Sequence, residues 1–310
     1  MTPTRHDQLI ADVRAGLSAR PYTLPPKWFY DARGSKLFDA ITRLPEYYPT
    51  RAERALLADC ADTVVKLTEA TTLVELGSGT SDKTRLLLDA FTRHGTLEKF
   101  VPLDVDPTVL QTAQSALAAA YPGLLVAPLV ADFDAELPLP TGDNRLVAFL
   151  GSTIGNFEPG ARAAFLARLA AAMDPGDHLL LGADLVKDVT RLIAAYDDSQ
   201  GVTAEFNRNV LRVLESELGA EVDPASFDHV ALWDDQQEWI EMRLRSRVDQ
   251  EVAIPAADLV VSFAAGDEIR TEISAKFRRD GVTAELTAAG FDPVQWWDDG
   301  DFGLALAVRS

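Results

Sequence analysis

The chain has 310 residues, 47% hydrophobic and 25% charged, an ordinary globular composition that suits one large domain or two modest ones. Its 29 basic against 48 acidic residues give a net charge of −19, which repels phosphate backbones and anionic lipid, so neither nucleic acid nor a membrane is an expected partner while a cationic ligand is welcome. Cys60 is the lone cysteine, which excludes an intrachain disulfide and a thiolate metal cluster, and the lack of an apolar signal core points to the cytoplasm.

Residues 1–52 are rich in aromatics and prolines, with Pro21, Pro25, Pro26, Pro45 and Pro49 punctuating helical pieces. Five apolar runs follow: TTLVEL (71–76), KFVPLDV (99–105), LLVAPLV (124–130), RLVAFL (145–150) and HLLLGAD (178–184). Each is short, continuous and bounded by Gly, Pro or Asp, as expected of strands buried on both faces. Between them, spacings of three and four (Leu86, Leu87, Ala90, Phe91; then Val109, Leu110, Ala113, Leu117, Ala120) predict helices. Strand and helix alternating in this way predict a parallel, doubly wound α/β sheet with its ligand loops along one edge.

Beyond the fifth run, Leu185, Val189, Leu192, Ile193 and Tyr196 predict a helix closed by Gly201, and Val202, Phe206, Val210, Leu214 and Leu218 a second. From Phe227 to Phe263 the pattern alternates, with Ile240, Met242 and Leu244 on one face and Trp239, Glu241, Arg243 and Arg245 on the other, an antiparallel meander. The terminal GLALAVR reads as one more strand. The expected division is a core of 53–185 with 277–310, and a second domain of 1–52 with 186–276.

The first run leads into Glu75-Leu76-Gly77-Ser78-Gly79-Thr80-Ser81-Asp82-Lys83. Glycines after a strand let a ligand approach the backbone. A dinucleotide site wants glycine at 82, but Asp82 stands there, and its charge opposes pyrophosphate. A nucleoside cofactor without phosphates, S-adenosylmethionine, suits such a loop better. Asp104 closes the second run, 27 residues past Gly77, where a carboxylate can accept from both ribose hydroxyls. Asp132 closes the third and can accept from an adenine amine, while Phe133 can cover the ring. Three acidic strand ends in serial order favour a methyltransferase over an oxidoreductase. Gly151-Ser152-Thr153-Ile154-Gly155-Asn156 resembles a hydrolase elbow, but Thr153 holds the nucleophile position. His6, His94, His178 and His229 lack metal-ligand spacing and read as surface or packing residues, and WDDGD (297–301) as a solvated turn rather than a calcium loop.

The strings WFYDARGSKLFDAITRLPEYYPTRAE (28–53), LVELGSGTSDKTR (73–85), FLGSTIGNF (149–157), LLLGADLVKD (179–188), AYDDSQGVTAEFNRNVL (195–211) and the terminal DFGLALAVR resemble the S-adenosylmethionine-dependent L-histidine Nα-methyltransferases of ergothioneine biosynthesis. The resemblance covers essentially the whole chain. It implies a doubly wound, Rossmann-like methyltransferase sheet with a second, α+β substrate-binding domain, in a monomer that trimethylates the α-amine of L-histidine to hercynine.

The resemblance further implies Tyr30, Gly77, Lys83, Asp104, Asp132 and Phe133 at the cofactor, with Lys83 meeting the methionine carboxylate. It implies Tyr47, Asn156 and Tyr196 at the substrate carboxylate, and Met242, Glu272, Ser274 and Thr203 around the imidazole. Glu272 and Ser274 are two apart, so an extended segment puts them on one face. Positive charge passes from sulfur to nitrogen in the transfer, and the faces of Tyr30 and Phe38 can tolerate a cation at either position. The chemistry calls for neither a nucleophile nor a metal, and rests on positioning two reactants. Three alternatives stay open: methylation of another amino acid such as tryptophan or tyrosine, a nicotinamide oxidoreductase, and a catalytically silent binding module.

Overall fold

The computed structural model describes residues 4–132, 137–142 and 144–310. It opens with α1 (Arg5–Leu17), β1 (Tyr22–Thr23) and α2 (Ala32–Ile41). Next come α3 (Pro49–Thr68), β2 (Thr72–Leu76), α4 (Arg85–His94), β3 (Lys99–Asp104), α5 (Pro107–Ala120), β4 (Leu125–Val126), β5 (Leu129–Val130), β6 (Arg145–Phe149), α6 (Pro159–Ala172) and β7 (His178–Asp184). Then follow α7 (Val189–Tyr196), α8 (Val202–Leu218), β8 (Phe227–Asp234), β9 (Trp239–Ser246), β10 (Gln250–Ile254), β11 (Leu259–Phe263) and β12 (Glu268–Ala275). The chain closes with α9 (Arg279–Ala288), β13 (Phe291–Asp298) and β14 (Phe302–Arg309). It forms two compact units: Met1–Tyr48 with Lys187–Ser274, called unit 1, and Pro49–Val186 with Ala275–Ser310, called unit 2.

Unit 2 holds a sheet ordered β13-β14-β7-β6-β2-β3-β4, with β5 also on β3. β2, β3, β4, β5, β6 and β7 run parallel, while β14 and β13 return antiparallel. This is the doubly wound α/β architecture. Continuous apolar runs become its central strands because both faces are covered: Leu73, Phe100, Leu146, Leu180 and Phe302 are all fully buried. The run LLVAPLV departs from that expectation. Pro128 cannot donate to the ladder, so the run splits into the two-residue strands β4 and β5 at the sheet edge. Leu125 and Val130 are accordingly 60% and 57% exposed rather than core. β13 carries too few core positions for the alternation to announce it, although Phe291 anchors it. The Asp-rich stretch after it is the β13–β14 turn, where Asp299 accepts from Asp301 and Phe302 N–H.

Unit 1 combines α1, α2, α7 and α8 with a four-stranded sheet, β1-β12-β9-β8, and a two-stranded β10–β11 hairpin. β9 buries Ile240, Met242 and Leu244 as its alternation predicts. Its other face is less solvated than expected, because Glu241 is buried where Trp239 Nε1 (3.0 Å) and Arg243 Nε (2.7 Å) donate to it. α7 starts at Val189, not at Leu185: Asp188 caps it by accepting Arg191 N–H at 3.1 Å, and Leu185 forms a bridge to Phe277. Gly201 does not close that helix but precedes α8, at φ +72°.

Candidate active site

In unit 2, β2 lies between β3 and β6, and successive connections leave it in opposite directions, the switch point at which open α/β sheets bind ligands. Gly77 and Gly79 take φ of +67° and +49° in the loop after β2, a region glycine enters without a side-chain penalty. A Cβ at Gly79 would meet no atom within 4 Å, so the loop faces open space there. Asp104, at the end of β3, accepts from Gly79 N–H at 2.9 Å and Asp106 N–H at 3.1 Å. Burial pushes its carboxyl above the usual aspartate range, against the pull of those bonds. Asp132 follows β5, half-buried; Phe133 lies outside the described residues.

Lys83 does not stand alone beside this loop. Its ammonium pairs with Glu53 of α3, whose carboxylate is fully buried. The other Glu53 oxygen accepts Gly151 N–H at 2.7 Å, directly after β6. At Gly182 of β7 a Cβ would sit 2.3 Å from Glu53 Oε1, so only glycine admits the carboxylate there. One acid thus ties α3, the cofactor-loop lysine, the β6 loop and β7 together. That β6 loop continues through Ser152, at φ +56°, into a short 3-10 turn, Thr153–Asn156, which carries Asn156. Below the glycine loop, Glu75 is also buried and receives the Thr84 hydroxyl. Burial pushes its carboxyl up to about 8, so it stays protonated at neutral pH.

Unit 1 gathers most of the remaining site residues into one aromatic chain. Tyr30 meets Phe38 edge-on (ring centroids 5.7 Å) and Phe38 meets Tyr47 (6.3 Å), with Phe206 of α8 behind Tyr30 and Phe38. Tyr47 in turn meets Tyr196 at 6.3 Å. The Tyr196 hydroxyl shares a 2.7 Å hydrogen bond with Ser274 Oγ on β12, two residues past half-buried Glu272. Met242 is buried on β9. Thr203 is buried in the first turn of α8, where its N–H donates to Asp198 at 2.7 Å. Burial raises the Asp198 carboxyl, but N–H groups of Thr203, Val202 and Gln200 outweigh it and hold the group below the usual range. Asn156 belongs to unit 2.

Three residues escaped the sequence reading: Glu53, Asp198 and Asn207. A signal existed for two of them. Glu53 falls on the stripe Leu56, Leu57, Cys60, Ala61, Val64 that α3 buries, and Asn207 on the stripe Thr203, Phe206, Val210, Leu214 of α8. A polar group at a core position of an amphipathic helix must find a partner.

The family model described as histidine-specific, S-adenosylmethionine-dependent methyltransferase matches residues 9–309. The chain is 56% identical to the histidine N-alpha-methyltransferase of Mycolicibacterium smegmatis, over 98% of this chain and 95% of that one. It is 54% identical to the enzyme of the same name from Mycobacterium tuberculosis, over 98% and 96%. Ergothioneine biosynthesis protein 1 of Neurospora crassa is 29% identical over 94% of this chain and 33% of its own length. With the family spanning nearly every residue, this chain belongs to the S-adenosylmethionine-dependent, histidine-specific methyltransferases.

Proposed function

We propose that this protein methylates the α-amine of L-histidine three times at the expense of S-adenosylmethionine, giving hercynine for ergothioneine biosynthesis. The observation that carries this reading is the hydroxyl-lined cluster of unit 1, Tyr47, Tyr196 and Ser274, with Glu272 two residues away on the same strand. Phenol and hydroxyl donors neutralise a substrate carboxylate without an arginine, whose fixed charge would oppose an amine that must become a cation. Glu272 accepts from one imidazole N–H and Ser274 serves the other nitrogen, while Met242 and Thr203 close the ring's surroundings. Asn156 adds an amide donor at the carboxylate.

In unit 2, Asp104 takes the ribose hydroxyls, Asp132 and Phe133 the adenine, and Lys83 the methionine carboxylate. The open glycine loop, with an acidic Asp82 where pyrophosphate would need none, suits a nucleoside sulfonium. When bound, the cofactor supplies an electrophilic methyl on sulfur. The faces of Tyr30 and Phe38 stabilise cationic charge at the amine as it passes from primary to quaternary, and positioning accounts for most of the rate. Division of labour follows the two units: unit 2 is the methyltransferase core and unit 1 the substrate-binding domain. Cys60 is buried and free, which suits a reducing cytoplasm, and the protein acts as a monomer.

Incubation with S-adenosylmethionine and histidine, followed by mass spectrometry, is expected to show three added methyl groups. Preferential labelling of tryptophan or tyrosine in competition would overturn the substrate assignment, and a dominant one-chain mass by light scattering checks the monomer.

A further inference from the structure

His229 lies on β8 with both ring nitrogens engaged. Nε2 is 2.8 Å from the Tyr196 carbonyl, and Nδ1 is 2.8 Å from Asn207 Nδ2. A carbonyl only accepts, so the ring proton sits on Nε2, and Nδ1 then accepts from the Asn207 amide. Asn207 is fully buried and spends every polar atom. Its amide donates a second time, to the Arg243 carbonyl at 3.0 Å, and its oxygen faces the Thr271 hydroxyl at 2.6 Å. That hydroxyl also lies 3.0 Å from the Met242 carbonyl. A flipped Asn207 would set its oxygen against Arg243 O, so this orientation fixes the histidine tautomer. An imidazolium would aim an N–H at the Asn207 amide, which cannot accept it.

This network reaches the backbone of two residues assigned to substrate, Tyr196 and Met242, and adjoins a third, Glu272. Tyr196 is held at its carbonyl by His229 and at its hydroxyl by Ser274. Met242 is approached through its carbonyl by Thr271, and Thr271 directly precedes Glu272 on β12. We propose that His229 and Asn207 are a positioning pair for histidine recognition: a neutral, Nε2-protonated imidazole, oriented by Asn207, sets the backbone of Tyr196, Met242 and Glu272. The proposal rests on the assignment of those residues to the substrate. Burial holds the His229 ring below the ordinary histidine range. The Tyr196 carbonyl, Asp197 and Asp198 beyond α7 favour its charged form and Arg208 of α8 opposes it, and burial outweighs them. The pair is therefore intact above that lowered value and lost as the pH falls through it.

The test compares His229→Leu, which removes both contacts, with His229→Gln, which offers an N–H donor and a carbonyl acceptor. His229→Leu is expected to raise the KM for histidine about tenfold or more, the effect of losing paired hydrogen bonds, with kcat less affected. Its affinity for S-adenosylmethionine, read by calorimetry, stays at the wild-type value, and His229→Gln recovers most of the histidine KM. The ratio of kcat/KM for His229→Gln to that of wild type stays flat at high pH and rises as acid disables His229, because titration of the substrate cancels in the ratio. In the intact protein the His229 imidazole, assigned by its absence from the spectra of His229→Gln, shows the nitrogen shifts of a neutral Nε2–H tautomer. A charged ring or an Nδ1–H tautomer at neutral pH overturns the proposal, whether or not the leucine variant folds. So does a folded His229→Leu with wild-type KM while Glu272→Ala loses histidine. If Glu272→Ala and Tyr196→Phe leave histidine kinetics unchanged, the substrate assignment itself fails, and the proposal with it.

Discussion

The two units assemble their candidate sites by different rules. In unit 2 the residues stand at strand ends: Gly77 after β2, Asp104 at β3 and Asp132 after β5 follow chain order outward along the sheet, and Asn156 follows β6 on the other side of β2. In unit 1 the residues come from six places: Tyr30 just before α2 with Phe38 in its second half, Tyr47 just before α3, Tyr196 at the end of α7, Thr203 in α8, Met242 on β9, and Glu272 with Ser274 on β12. No local spacing relates them. A parallel sheet makes a binding edge by its topology, and its site survives many loop changes; a cluster built from distant elements depends on each packing contact. Unit 2 should therefore lose function through charge, and unit 1 through geometry.

The largest expected effect tests the charge side. Lys83→Met leaves the Glu53 carboxylate buried without its cation, and removing one partner of a buried pair costs about 3–5 kcal/mol. Denaturant unfolding should show that loss, and adding Glu53→Gln should recover most of it. A change under about 0.5 kcal/mol, typical of surface positions, would make Lys83 an ordinary lysine of the turn before α4.

Asp104→Ala comes next. It removes a carboxylate from the strand end and frees Gly79 N–H, so S-adenosylmethionine binding should weaken by about 2–4 kcal/mol, the scale of two charge-assisted bonds. Calorimetric titration of the folded variant decides, and unchanged affinity removes Asp104 from the cofactor site. Histidine discrimination among the residual turnover should persist, since the residues proposed to read the imidazole lie in unit 1.

These expectations show what the sequence makes legible. Leu73, Val74 and Leu76, or Leu146 through Phe149, announce buried strands because every position is apolar, and the glycine loop and Asp104 can be placed by counting from them. Glu53 is legible only in part: its place on the apolar stripe of α3 marks it as buried, but its partners Lys83 and Gly151 and the close approach of Gly182 come from other elements. Tyr47, Tyr196 and Ser274 are separated by 149 and 78 residues, and their meeting depends on how α7, α8 and β12 pack, so only whole-chain resemblance singled them out. His229 read as packing for the same reason: its partners, Asn207 and Tyr196 O, lie on other elements. β4 and β5 failed in the opposite sense, since a run apolar enough for the core was interrupted by one proline.

A smaller effect probes geometry. Glu272→Ala should lower kcat/KM for histidine by about 1.5–3 kcal/mol, roughly one to two decades, while cofactor affinity and folding hold. A site that accepts an imidazole N–H rejects phenylalanine and leucine by leaving the carboxylate unpaired, so the variant's preference over them should narrow, mainly through damage to histidine. Steady-state kinetics with the three amino acids measures both. If histidine turnover and preference survive, Glu272 is a strand residue with no part in recognition.

The smallest expected effect asks whether the two units open separately. Cys60 lies in unit 2, is 2% exposed, and burial pushes its thiol up to about 12. Only the thiolate reacts with an alkylating agent, so at about pH 8 the native fraction is on the order of one in ten thousand, against about a quarter for an unfolded cysteine with a pKa near 8.5. Native labelling should thus be negligible, and what occurs should pass through opening of α3. S-adenosylmethionine, proposed to bind unit 2, should slow that labelling by the factor of one plus its concentration over its dissociation constant if opening abolishes binding. Histidine alone, proposed to bind unit 1, should leave the rate unchanged. Equal protection by histidine would mean that the units open as one, and the separation between a topological site and a packed one would then describe how each is built but not how each is lost.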